Sequence, residues 1–122
     1  MPSTVLVVDD DPDLVRLMGR YLTLSGFTAV PAANGREALA YLRGGGTANV
    51  ILLDLRMPVM DGWTFRRTQR DDPAIASIPV VVLSGVAEVE SLRDLGVAAT
   101  FSKPVSFPEV ISVVRKLADA TV

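Results

Sequence analysis

Short apolar runs alternate with amphipathic stretches along the whole chain. Val5-Leu6-Val7-Val8, Val50-Ile51-Leu52-Leu53 and Val80-Val81-Val82-Leu83 are uninterrupted, the pattern of strands covered on both faces. Residues 28–31 predict another strand, and residues 98–102 a weaker fifth. Pro31 has no N–H to give to a ladder, which places the residue 28–31 strand at a sheet edge. Between these runs lie helical signals. Asp11 is suited to cap a helix with Pro12 at its first position, and Leu14, Met18 and Leu22, with Val15 and Tyr21, form its apolar stripe up to Gly26. Asn34 and Glu37 resemble a capping box for a helix carrying Ala38, Leu39 and Leu42 that stops at Gly44-Gly45-Gly46. A helix of about ten residues starts near Gly62 and closes at Asp71-Asp72-Pro73. A short helix is expected over residues 88–95, ending at Gly96. Ser106 with Glu109 caps a last one bearing Val110, Ile111, Val114, Leu117 and Ala118.

Five β-α units with no linker, low-complexity tract or repeat predict a single α/β domain over residues 1–122, a doubly wound parallel sheet with helices on both faces. Ligands of such sheets bind beyond the carboxyl ends of the strands. Composition narrows the chemistry available there. The 122 residues contain no cysteine and no histidine, which excludes thiolate and imidazole ligands, thiol nucleophiles and a phosphohistidine on this chain. A net charge of -2 argues against a nucleic-acid surface built on bulk electrostatics. No apolar run approaches the ~18 residues of a membrane span, and the N-terminus is neither a signal nor a transit peptide. A soluble, cytoplasmic domain is expected, working with carboxylates, hydroxyls and amines.

Those groups stand at the strand ends: Asp9-Asp10 after the first, Asp54 at the third, Ser84 at the fourth and Lys103 beyond the fifth. Three carboxylates on one rim repel unless a cation joins them, and Mg²⁺ is the natural oxygen-liganded ion where phosphate also binds. A carboxylate, a hydroxyl and an ammonium are then the parts that accept and hold a phosphoryl group.

Four ordered motifs carry a family likeness: Val7-Val8-Asp9-Asp10-Asp11-Pro12, Leu53-Asp54-Leu55-Arg56-Met57-Pro58-Val59-Met60-Asp61-Gly62, Val82-Leu83-Ser84-Gly85 and Phe101-Ser102-Lys103-Pro104. Together they resemble the receiver domains of two-component response regulators, over the whole chain. The resemblance implies the flavodoxin-like strand order 2-1-3-4-5, with Asp54 as phosphoacceptor. It implies Mg²⁺ held by Asp9, Asp10, Asp54 and the backbone carbonyl of Arg56, with Ser84 as switch hydroxyl and Lys103 as phosphate-contacting amine. It also implies a cis bond between Lys103 and Pro104. The implied donor is a sensor histidine kinase or phosphotransfer protein and the implied target a downstream protein or output domain. The domain is expected to be a monomer or weak dimer, to bind no nucleic acid or membrane, and to turn over no metabolite.

Simpler roles stand beside these. Asp11 reads as a helix cap, Asp61-Gly62 as a turn shaping the loop after Asp54, Phe101 as core, and Trp63 as packing at a helix start. Gly44-Gly45-Gly46 is no phosphate loop, since it lies at a helix C-terminus and no Gly-Lys-Ser/Thr follows it. Three features depart from the family pattern. Lys103 follows Ser84 by nineteen positions, a spacing shorter than the family's by about three residues, which shortens the intervening helix by nearly a turn. The place of the switch aromatic is Thr100, and Phe101, one step along, faces the other way. Arg56 stands two positions after the acceptor, where it can attract anionic donors or shield an acyl phosphate.

Two other functions compete. An aspartate-nucleophile phosphohydrolase resembling the haloacid dehalogenases needs a second aspartate where Arg56 stands, and a cap domain. A constitutive interaction domain would keep the fold and drop the switch, a reading only the missing aromatic favours. The last residues lie just beyond the final helix, consistent with a stand-alone receiver or with one cut from a longer regulator.

Overall fold

The computed structural model describes residues 2–85 and 91–120. Strands β1 (Thr4–Val8), β2 (Thr28–Ala32), β3 (Val50–Asp54), β4 (Val80–Ser84) and β5 (Ala99–Ser102) form one parallel sheet in the order β2-β1-β3-β4-β5. Among the described residues the helices are α1 (Pro12–Leu24), α2 (Gly35–Arg43), α3 (Gly62–Arg70) and α4 (Phe107–Ala120). The first part of the short helix expected over residues 88–95 lies outside the described residues. Its remainder is a 3-10 helical stretch at residues 91–92 followed by turns over 93–96 that end at Gly96, where φ is +64°.

The two-residue period of a strand explains why the central runs are apolar throughout. Leu6, Val8, Ile51, Leu53, Val80 and Val82 point to one face, against Ala38, Leu39 and Leu42 of α2 and Phe65 of α3. Val5, Val7, Val50, Leu52, Val81 and Leu83 point to the other, against Met18 and Leu22 of α1 and Val110, Val114 and Ala118 of α4. Every alternate side chain is thus buried, whichever way it turns.

The edge position of β2 follows from its proline. The Thr28 N–H donates to the Ser3 carbonyl (2.9 Å), so Thr28 and Val30 face β1 and Pro31 occupies a position whose N–H would point outward. The starts of α1 and α2 match the sequence signals, with one change. Asp11 accepts from the N–H groups of Asp13 (3.0 Å) and Leu14 (3.4 Å), and Asn34 accepts from Glu37 N–H (2.9 Å). The Glu37 carboxylate, however, takes the N–H of Ala33 (3.1 Å), one residue before the cap, so the box is displaced by one position. At α4 it is the Ser106 backbone carbonyl that accepts, from Val110 N–H (3.1 Å).

Candidate functional site

Register assembles the site. Val8 pairs with Leu53, which sets Asp9 beside Asp54 one step further on, and Asp54 itself pairs with Leu83. Ser84 pairs with Ser102, so Lys103 emerges one residue past the end of β5, its N–H donating to the Ser84 carbonyl (2.8 Å). The peptide bond that follows, Lys103–Pro104, is cis. Residues separated by most of the chain therefore meet at one rim. The Lys103 ammonium lies 3.0 Å from Asp9 Oδ2 and 3.3 Å from Asp54 Oδ1.

Asp9 and Asp54 are buried, whereas Asp10 is exposed beside them. One carboxylate oxygen from each of the three lies within 4.8 Å of the others, an all-oxygen donor set that fits a hard divalent cation such as Mg²⁺. Asp9 is oriented for this from both sides: its Oδ1 accepts from Asp11 N–H (2.9 Å) and its Oδ2 from Lys103. Burial, then the charge of Asp9, push the Asp54 carboxyl up to about 6 against an ordinary 3.8, with Lys103 opposing and Asp10 adding to the rise. Burial alone would lower the Lys103 ammonium, but its hydrogen bond to Asp9 and the charges of Asp9 and Asp54 outweigh this and hold it above its usual value. The rim thus carries an excess of negative charge that one lysine leaves partly unneutralised. The buried Ser84 hydroxyl donates to the adjacent Gly85 carbonyl (3.1 Å).

The loop after Asp54 is held tightly. Gly62 N–H donates to the Leu55 carbonyl (2.8 Å), and a Cβ at Gly62 would stand 2.4 Å from the Asp54 carbonyl oxygen, so only glycine permits this approach. Asp61 caps α3 through Thr64 N–H (2.8 Å). At the loop's outer bend, Met60 N–H reaches the Pro58 carbonyl (2.7 Å) across Val59, whose φ is +70°. This is the strained form of the γ-turn, unusual for a β-branched side chain. The Arg56 guanidinium lies over the Trp63 ring, 5.5 Å from its centroid. Trp63 packs against the α2/α3 core and donates its indole N–H to Ser91 Oγ (2.7 Å). On β5, Phe101 packs into the α1/α4 layer and Thr100 is exposed, as strand parity requires.

Sequence reasoning missed one group. Arg66 and Gln69 of α3 are buried, with Arg66 donating to the carbonyls of Leu95 (2.8 Å) and Gly96 (3.1 Å) and to Gln69 Oε1 (2.7 Å). Gln69 in turn donates to the carbonyls of Ile75 (2.9 Å) and Ile78 (3.0 Å). The available signal was that α3, Gly-Trp-Thr-Phe-Arg-Arg-Thr-Gln-Arg, has too few apolar residues to cover a stripe, so polar side chains had to enter its buried face.

A doubly wound parallel sheet with a carboxylate cluster and a lysine at its carboxyl rim is the architecture of a phosphate-handling α/β domain. Residues 5–115 match the family described as the response regulator receiver domain, and the chain belongs to it. It is 31% identical to the polar-differentiation response regulator DivK of Brucella anthropi, over 98% of this chain and 100% of that protein. It is 34% identical to the response regulator PleD of Caulobacter vibrioides, over 96% of this chain but 26% of PleD. Among solved structures, a response regulator receiver protein of Pseudomonas putida superposes with a TM-score of 0.87 at 32% identity, covering 95% of this chain and 98% of that one. The receiver domain of a Francisella response regulator gives 0.87 at 29% identity, covering 98% and 99%. The protein is a receiver domain of a two-component system.

Proposed function

We propose that Asp54 accepts a phosphoryl group from a phosphohistidine of a partner kinase or phosphotransfer protein, and that the resulting acyl phosphate alters the surface this domain offers to a downstream target. The observation that carries this reading is the Lys103 ammonium shared between Asp9 and Asp54, 3.0 and 3.3 Å away. A structural lysine needs no such position, whereas one that must follow charge onto a phosphorylated carboxylate does. In the transfer, an Asp54 carboxylate oxygen attacks phosphorus as the P–N bond to the donor imidazole breaks, and the imidazole leaves with the bond's electron pair. Asp9, Asp10, Asp54 and the Arg56 carbonyl are the groups that would hold Mg²⁺, which when bound supplies positive charge to the phosphoryl oxygens. Lys103 moves its donors from the carboxylates to one phosphoryl oxygen, and Ser84, by rotating its hydroxyl off the Gly85 carbonyl, donates to another. The chain has no histidine, so the donor is another protein, another domain or a small phosphodonor. The role is that of a signalling module in the cytoplasm, with no metabolite turned over. Labelling by a phosphorylated histidine kinase tests it: the label should be lost in Asp54→Asn and be hydroxylamine-sensitive. Undiminished labelling of that variant would remove Asp54 from the role.

A further inference from the structure

We infer that the groove between α1 and β2 is a binding site for a small amphipathic anion, an aliphatic carboxylate of medium chain length. The inference does not rest on Asp54 being the phosphoryl acceptor. β2 is the edge strand, and Ala29 and Pro31, in register with Val5 and Val7, turn toward the α1 layer. There α1 commits its large side chains, Met18 and Leu22, to the buried core, and toward the edge it offers Gly19. A Cβ at Gly19 would meet nothing nearer than Ala29 Cβ, 4.0 Å away. Small residues facing each other at the edge therefore leave a groove of about 510 Å³, in the ~300–1,000 Å³ range of small-molecule sites. Val7 and Val15 add apolar lining, and Leu24, at the far end of the groove, is 86% exposed. A bound aliphatic chain would cover that surface.

Charge identifies the head of the ligand. Among the described residues the charged groups lining the groove are Arg16 and Arg20, one helical turn apart, and no acid lines it. A chain of net charge -2 thus has a purely cationic groove. Arg20 has no hydrogen bond or ion pair to another described residue. Arg16 meets Asp13 at 3.3 Å, but both side chains are exposed, and such a pair is worth little in water. Both guanidiniums are therefore available to a carboxylate, whose two oxygens match the guanidinium fork. Shape disfavours larger occupants. Spread over the ~14 Å of α1 from Val15 to Leu24, the volume is a furrow of about 40 Å² in section, too narrow for a helix ~10 Å across. An added strand would need N–H donors along the outer edge of β2, and Pro31 has none. An extended alkyl chain needs neither width nor backbone donors.

The test titrates ¹⁵N-labelled full chain with octanoate, and separately with 1-octanol, which has the same chain and no charge. Both titrations are run at pH 7 in EDTA, below the micelle concentration, and read by amide shifts. Expected is saturable one-to-one binding of octanoate, with shifts concentrated at amides 15–24 and 28–30. Octanol should bind the same residues at least tenfold more weakly. Arg20→Gln, an exposed substitution that leaves the core untouched, should weaken octanoate about tenfold and leave octanol unchanged. Octanoate that produces no saturable shift at those amides would overturn the site. Octanol binding as tightly as octanoate, or Arg20→Gln with unchanged octanoate affinity, would overturn the recognition of an anion. Shifts of the same amides on diluting the ligand-free chain, with faster diffusion, would assign the groove to a second copy and overturn the proposal.

Discussion

Replacing Asp54 with asparagine tests the electrostatics of the rim directly. Asp54 titrates at about 6 in the folded chain against 3.8 for the ordinary carboxyl, with burial and then Asp9 as the causes. Between those two pH values the folded state holds more protons than the unfolded state, so this group's contribution to stability falls as pH rises through the window and is fully lost above it. At about 1.4 kcal/mol per pH unit, the gap amounts to up to ~3 kcal/mol near pH 7.5. The asparagine side chain keeps an oxygen acceptor for Lys103, and Lys103 keeps Asp9, so the substitution removes the charge and little else. The assay is urea unfolding followed by Trp63 fluorescence at pH 4 to 8 in EDTA, for both chains. Asp54→Asn should match the wild type near pH 4 and exceed it by about 2–3 kcal/mol at pH 7.5, the difference growing through pH 4–6.5. Added Mg²⁺ should narrow the gap by stabilising the wild type, by about 1.4 kcal/mol at tenfold over its Kd. An Asp54→Asn chain no more stable than wild type at pH 7.5 in EDTA would show that Asp54 is not electrostatically frustrated, and would remove the argument that the rim requires a cation.

The loop and helix glycines give opposed expectations. Gly62→Ala would press a Cβ against the Asp54 carbonyl at 2.4 Å and the Leu55 Cα at 2.7 Å, so a loss of about 3 kcal/mol is expected in the same unfolding assay; a loss under ~0.5 kcal/mol would refute the close approach. Gly19→Ala, in mid-α1, would meet only Ala29 Cβ at 4.0 Å, and the alanine should stabilise by about 1 kcal/mol through helix propensity. Val59 is largely exposed with φ +70°, so Val59→Gly relieves strain without losing core packing and should raise stability by about 1 kcal/mol after the glycine's own entropy cost. A lower Tm for Val59→Gly would show that the γ-turn at this bend is not strained.

Much of the molecule was legible in the chain because its signals are local. A strand buried on both faces cannot hide its continuous run, and Asp11 and Asn34 each cap a helix through N–H groups two or three residues away. Pro31 marked the sheet edge because it lacks the donor an inner strand must supply. The displaced contact of Glu37 was not visible, since a flexible carboxylate reaches Ala33 or Asn34 with equal ease until the backbone before the helix is set. Arg56 was expected to lean over the pocket, and what it stacks on depended on where Trp63 came to rest.

Residue order alone therefore determined the strands, most helix boundaries and the acidic and basic groups that gather at one rim, because periodicity, caps and strand parity act over a few residues. Tertiary structure decided the rest. The sharing of Lys103 by two carboxylates, the rise of Asp54 through burial, and the hold of Arg66 on the carbonyls of Leu95 and Gly96 all depend on groups far apart in the chain being desolvated together. Desolvation belongs to the packed molecule, and no short stretch of sequence carries it.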